Sequence, residues 1–486
     1  MTQPIKKFLV LMLTLTCLSC IDLGFISKFL ENQNGSSSLI ETTQTSDQRL
    51  PNATQTPTLE VVENYPTIEP QVTCELNPEG PYLLFGGREG IWLSNPDGRC
   101  IKQVFEGRFF NNLRTAVAPD GSRMALVTQS ETGYDLNLIT LPDGQQKQII
   151  QLLEGFGDEL DDPKSTIEEV LTRYNNTTWL PWSGDKLAFV GAINSTSTNI
   201  FVYDIHTRQV DQLTEDPLQT IHPTWSPDGR FILYYGVSWV GPFEGAIAEY
   251  DRMNGAWAID LDNERVVPLP KPEVIRPDFV GWQDGTHYFS CDGNILSSVD
   301  LLTGSQTEII QCCCYDQISQ SPIDSSLLLN YSLDCSFLYE EGIFLLSAGA
   351  KTPQKIFDTP AWELEWLPES NFFFAYPEAL ISSDGKTIFS PPVYDGSYLP
   401  AVSQQGYQAW LTFEDRQPSV RLKTPGDDWQ VLIREAPKVL VWDPDSGQTL
   451  LMVLEDGRLL AASYPDFTPY FIGNLGSAVD EAIYIP

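Results

Sequence analysis

Three histidines, nine cysteines and 65 carboxylates are the side chains of this chain with chemistry to offer. A hydrolase needs a nucleophile beside a base, or two carboxylates held at a fixed separation. His206, His222 and His287 stand far apart in sequence without ligand spacing, and no Gly-x-Ser-x-Gly elbow occurs. His222 precedes Pro223 and is placed to line an axial channel. The runs Asp158-Glu159-Leu160-Asp161-Asp162 and Asp260-Leu261-Asp262-Asn263 carry oxygen ligands for Ca²⁺. Neither has EF-hand spacing, so both read as solvated turns. No Cys-x-x-Cys pair has a partnering His, and no metal, cofactor or catalytic set is assigned.

The cysteines read as disulfides of an oxidising compartment. Cys74 and Cys100 are one candidate pair. Cys291, Cys312, Cys313, Cys314 and Cys335 gather in a later stretch as candidates for bridges between neighbouring sheets. Two insertions are rich in aromatic residues: 236–255 carries Trp239, Phe243 and Tyr250, and 330–342 carries Tyr331, Phe337 and Tyr339. Aromatic side chains on loops of a rigid scaffold supply contact area at little entropic cost, so these six are the candidate binding residues. The competing reading is that their rings cover their own sheets. A further insertion, 152–174, contains the capping box Ser165-Thr166-Ile167-Glu168, which predicts a short helix to about Arg173.

The elements that position these residues are announced by a recurring turn. Trp225-Ser226-Pro227-Asp228-Gly229-Arg230 leads into the apolar run Phe231-Ile232-Leu233-Tyr234-Tyr235. Pro presets the first turn position, Asp accepts backbone hydrogen bonds, and Gly takes a positive φ. Variants recur with their Asp at 120, 185, 228, 284 and 324, and weaker copies begin at Trp366 and Trp442. A four-stranded repeat takes about 40–45 residues, so the longer gaps hold insertions. Strands alternate in direction, which puts these turns on one face and the insertions on the opposite one.

At these residues the chain resembles the TolB-like, WD40-like propeller repeat, also found beside the peptidase domain of prolyl oligopeptidase-type enzymes. The resemblance implies an all-β fold, a single β-propeller of four-stranded antiparallel blades over 76–486. Seven units begin near 113, 178, 222, 277, 317, 363 and 438, and a degenerate one spans 397–434. Residues 81–107 supply only the later strands of a further unit, which Ala482-Ile483-Tyr484-Ile485 would complete. Strict counting of these units allows nine, but ring sizes known for propellers favour eight blades, with seven as the alternative. The resemblance carries no activity with it, since propellers host many functions.

The amino terminus reads as targeting. Lys6 and Lys7 precede the apolar run Phe8–Leu15, and Thr16-Cys17-Leu18-Ser19-Cys20 resembles a bacterial lipobox with Cys20 as the lipidated residue. Cys17 is the alternative acceptor. Residues 1–20 are then a lipoprotein signal peptide and 21–75 a disordered polar tether. A net charge of −36 excludes nucleic acid as a partner, because phosphates require lysine and arginine. The expectation is an extracytoplasmic, lipid-anchored, non-enzymatic binding or scaffold module for a protein, peptide or glycan. The alternative is a hydrolase or lyase with carboxylates at the mouth of the central channel.

Overall fold

The chain divides into Met1–Asn64 and Tyr65–Pro486, and the second unit holds all the described structure. The computed structural model describes residues 74–486 except 132, 155–166, 169, 175–176, 182, 194, 196, 216, 238–252, 270–278, 293–294, 312–317, 322–323, 332–340, 368–370, 393–396 and 445. The fold is a β-propeller whose sheets are built of successive antiparallel strands.

Nine sheets form the ring, not the expected eight or seven. Blade 1 holds Tyr82–Gly87, Gly90–Ser94 and Lys102–Glu106, and Val479–Ile485 adds its innermost strand. Blade 2 holds Arg123–Ser130, Gly133–Thr140 and Gln145–Gln151. Blades 3 to 9 begin at the inner strands Thr178–Trp179, Gln219–Trp225, Phe279–Trp282, Ile318–Gln320, Glu363–Trp366, Ser397–Val402 and Pro437–Trp442. Every unit counted along the sequence is a blade, and the degenerate one, blade 8, is a complete four-stranded sheet. Its turn, Ser403-Gln404-Gln405-Gly406, lacks Pro and Asp but keeps what the backbone requires. Gly406 takes φ +81°, and its N–H donates to the Ser403 carbonyl at 3.0 Å. Blade 1 is likewise a full sheet, so the usual ring sizes yield to strand pairing.

Each blade is pressed between two others, so its inner strands are apolar on both sides and read as continuous runs. In blade 1, Leu83 and Phe85 pack with Val439, Leu451 and Val453 of blade 9. Tyr82 and Leu84, pointing the other way, pack with Met124, Leu126 and Ile139 of blade 2. Similar apolar seams join every adjacent pair around the ring. Each fully buried leucine or phenylalanine contributes about 1.5–3 kcal/mol.

The repeated turn is held as its sequence implies. Asp228 Oδ1 accepts from Ser226 Oγ at 2.6 Å and from the Arg230 N–H at 3.1 Å, while Phe231 N–H donates to Ser226 Oγ at 2.9 Å. The same Ser-x-Asp arrangement recurs at Ser382 and Asp384 in blade 7. Gly285 has a different reason to be glycine: a Cβ there would lie 2.3 Å from the Asp228 carboxylate of the preceding blade.

Blade 2 departs from the pattern. Its inner strand is reduced to bridges at Phe109–Thr128 and Val117–Met124, with a helical turn, Leu113–Ala116, between them. Buried Asn111 fills the gap: Nδ2 donates to the Ala125 carbonyl at 2.8 Å and to Thr177 Oγ1 at 2.7 Å, and Oδ1 accepts from the Val127 N–H at 2.9 Å. A side-chain amide therefore replaces one residue of missing strand. Asn111→Leu keeps the size but leaves a buried donor and acceptor unmet, and is expected to cost about 2–3 kcal/mol in denaturant unfolding. An unchanged midpoint would show that the amide is dispensable.

Candidate functional site

Of the six aromatic residues singled out by sequence, Trp239, Phe243, Tyr250, Phe337 and Tyr339 lie outside the described residues. Tyr331 is a core residue: it is 2% exposed, with its ring edge-to-face on Phe344 at 5.0 Å. It is not available to a ligand, and for this ring the competing reading holds. The helical segment at the end of the 152–174 insertion is also partly core. Ile167, Val170 and Leu171 are fully buried, and the ordered helical turn runs over Val170–Tyr174. Cys74 and Cys100 form a disulfide. Cys291 is half-buried on a strand of blade 5, whereas Cys20, Cys312, Cys313, Cys314 and Cys335 lie outside the described residues.

An exposed aromatic surface lies elsewhere, across the seam between blades 7 and 8. Trp362 immediately precedes the inner strand of blade 7 and is 68% exposed. Tyr376 ends the second strand of that blade, and the Trp362 N–H donates to its carbonyl at 2.8 Å. Ring centroids follow one another at 5.8 Å from Trp362 to Tyr376, 5.6 Å from Tyr376 to Tyr398, and 5.8 Å from Tyr398 to Phe413. Tyr376 Oη donates to Tyr398 Oη at 3.3 Å. Tyr398 and Phe413 are exposed, as is Leu399 beside them. By strand direction, this ridge is on the face opposite the Ser-Pro-Asp-Gly turns.

The sequence signal for the ridge was faint, since Trp362 and Phe413 sit in ordinary repeat units. One clue was local. Leu399 precedes Pro400 as His222 precedes Pro223, and both inner strands bulge there, with φ +42° at Leu399 and +53° at His222. Proline lacks an N–H and is tolerated because the innermost strand is an edge. The bulge turns the preceding side chain out of the regular alternation. His222 is half-buried in blade 4, whereas His206 lies 3.6 Å from Asp185 and His287 lies 3.0 Å from Asp284, each within its own blade. Among the described residues no three His, Cys, Asp or Glu side chains converge as a metal site.

Two carboxyls of inner strands are perturbed. Glu365 belongs to the inner strand of blade 7, and Glu481 to the closing strand of blade 1. Burial pushes the Glu365 carboxyl up even though part of it is open to solvent; Glu363 adds to the rise and Arg114 opposes it. Burial also raises Glu481, against the Leu113 N–H that it accepts at 3.2 Å and the charge of Arg114, while Asp480 adds to the rise. One guanidinium therefore acts on carboxylates of blades 7 and 1.

Asp260, read from sequence as part of a solvated turn, is instead a buried hub. Its carboxylate accepts from Arg230 Nε and Nη2, both at 3.1 Å, from Asn263 at 2.8 Å and from Arg265 at 3.3 Å. Burial alone would raise this carboxyl, but the donors together outweigh it and hold it at about 2. With its oxygens so occupied, Asp260 anchors the turn rather than a cation.

No family model and no curated protein sequence matches the chain. Among solved structures, it is similar to TolB from Acinetobacter baumannii, at 13% identity and a TM-score of 0.32, covering 84% of this chain and 68% of that one. It is similar to Porphyromonas gingivalis dipeptidyl peptidase 4 at 11% identity and a TM-score of 0.45, covering 82% of this chain but only 59% of the peptidase. An oligogalacturonate lyase in complex with manganese matches at 13% identity and a TM-score of 0.32, over 81% of this chain and 85% of the lyase.

Two titrations test the electrostatics. The stability contributed by Asp260 is fully present above its ordinary value of 3.8 and is lost as pH falls through about 2. Asp260→Asn is expected to lose about 2 kcal/mol at pH 7, with the gap to the wild type closing near pH 2. A gap that persists there would show that packing, not charge, is at stake. Glu481 has the opposite sign: its raised carboxyl favours folding below the ordinary glutamate range and loses that contribution as pH rises through the elevated value. Glu481→Gln, which still accepts from Leu113, is expected to unfold no earlier than the wild type at pH 7 and relatively earlier at pH 4. Early unfolding at pH 7 would mean that the Arg114 attraction dominates.

Proposed function

We propose that this chain is an extracytoplasmic binding or scaffold propeller that holds a protein, peptide or glycan on the face opposite its Ser-Pro-Asp-Gly turns. The observation that carries the reading is the ridge of exposed Trp362, Tyr398 and Phe413 with half-buried Tyr376 between them, a row of aromatic rings fixed to strand ends. Interfaces draw their energy from a few such anchors within a polar rim. Trp239, Phe243, Tyr250, Phe337 and Tyr339, on insertions that leave the same face, extend the proposed surface. The Cys74–Cys100 disulfide supports an oxidising compartment. Among the described residues no helix is long and apolar enough to cross a membrane. Attachment through a lipid on Cys20 completes the proposal, with 21–75 as the tether and 76–486 as the folded body.

The raised carboxyls of Glu365 and Glu481 favour a second reading, a hydrolase or lyase at the channel mouth. The charge of Arg114 opposes the rise at both, and such an arrangement suits structure as well as acid catalysis. One experiment decides between them: photo-crosslinking of the full-length protein in its native envelope, beside Trp362→Ala/Tyr398→Ala. The wild type is expected to capture a partner that the double variant loses at least tenfold, with a melting temperature within about 2 °C, because Trp362 and Tyr398 are exposed. Capture indifferent to the ridge, with substrate turnover lost in Glu365→Gln, would replace the binding reading with the enzymatic one.

A further inference from the structure

Resting on that reading, we propose that the ridge takes a polypeptide segment bearing arginine or lysine. An exposed ring can cover apolar surface, stack on a sugar or sit beneath a cation, and its surroundings decide among these. Trp362 is followed at once by exposed Glu363, and Phe413 by exposed Glu414 and Asp415. Arg421 already pairs with Glu414 at 2.6 Å, and Arg416 shares the turn with Asp415, so three carboxylates face two cations along the rim, with Glu363 and Asp415 the carboxylates outside that pair. Asp415 and Arg416 occupy the tight hairpin turn at φ +50° and +64°, a conformation that favours glycine or asparagine. That turn follows Phe413 directly and carries exposed charge of both signs.

A guanidinium over the face of Trp362 or Tyr398, with its edge toward Glu363 or Asp415, gains the cation–π attraction and a charge-assisted hydrogen bond together. Each of these contacts is also available to lysine in weaker form. The whole-chain charge of −36 then speeds encounter with a basic segment. The same field gives a neutral sugar nothing and repels an anionic one. Charge complementarity thus selects a basic polypeptide from the classes that aromatic rings can bind.

The test uses the full-length protein and a fluorescein-labelled 12-residue peptide of alternating arginine and glycine, read by polarisation. A glutamate–glycine peptide and cellohexaose serve as competing probes. The arginine peptide is expected to bind, to weaken at least tenfold in Trp362→Ala and several-fold in Glu363→Gln/Asp415→Asn, and to recover in part in Trp362→Phe. Asp466→Asn, which removes an exposed carboxylate on the opposite face, is expected to change nothing. Equal weakening by Asp466→Asn and the rim pair, or indifference to Trp362→Ala, would reduce the effect to bulk charge and overturn the proposal. Trp362-dependent binding of cellohexaose without the arginine peptide would make the ridge a sugar platform, overturning the basic partner but not the binding face. If neither probe depends on Trp362 while native capture does, the binding reading stands and the basic segment falls.

Discussion

A ring of sheets has one unavoidable weak point, the place where the chain must meet itself. Here Val479–Ile485 pairs antiparallel with Tyr82–Gly87, Leu84 opposite Ile483 and Phe85 opposite Ala482. Without that strand, blade 1 would present an unpaired edge of apolar sequence to the channel, an invitation to association with other chains. With it, Leu83 and Phe85 stay sealed against blade 9 and Leu84 against blade 2. The same strand carries Glu481, which accepts from the Leu113 N–H across the seam. Closure and the charge arrangement of the channel are therefore one event.

Rigidity of the ring gives the aromatic ridge its value. Trp362 is bound through its backbone to Tyr376, and Tyr376 stacks on Tyr398 of the next blade. Beneath them Phe374 meets fully buried Trp410 edge-to-face at 5.3 Å. A row of rings on such a base loses little freedom on binding, which is where pre-organised surfaces gain affinity. Blade 2 shows the opposite economy: where its inner strand fails, Asn111 supplies the missing hydrogen bonds, and the helical turn that follows carries Arg114, whose charge acts on Glu365 and Glu481.

Architecture was legible because a propeller repeats itself. Ser226, Asp228 and Gly229 make the bonds that their identities imply, and the apolar runs after them are buried on both sides. The closing strand was also visible, since 81–107 lacked a partner and 482–485 offered one. Blade number was misread because the nine units visible along the sequence were trimmed to eight on usual ring sizes, whereas blade 8, whose turn rests on Gly406 without the Pro-Asp pair, is a full sheet. The site was much less legible. Tyr331 sits in an insertion-bearing hairpin yet points into the core, and nothing local distinguishes it from a surface ring. The ridge arises from four residues spread over 362–413 that meet only when two blades are side by side, and no single-sequence periodicity encodes that meeting. Asp260 was misjudged for a similar reason: Arg230, its main partner, comes from a different hairpin.

The most direct test of the closed ring is amide hydrogen exchange of the full-length chain, resolved by mass spectrometry. Peptides spanning 82–87 and 479–485 are expected to exchange together, as slowly as the interior strand 231–237. Rapid exchange over 479–485 beside a protected 82–87 would mean that the last strand is not paired in solution, and the closed nine-bladed ring would be wrong.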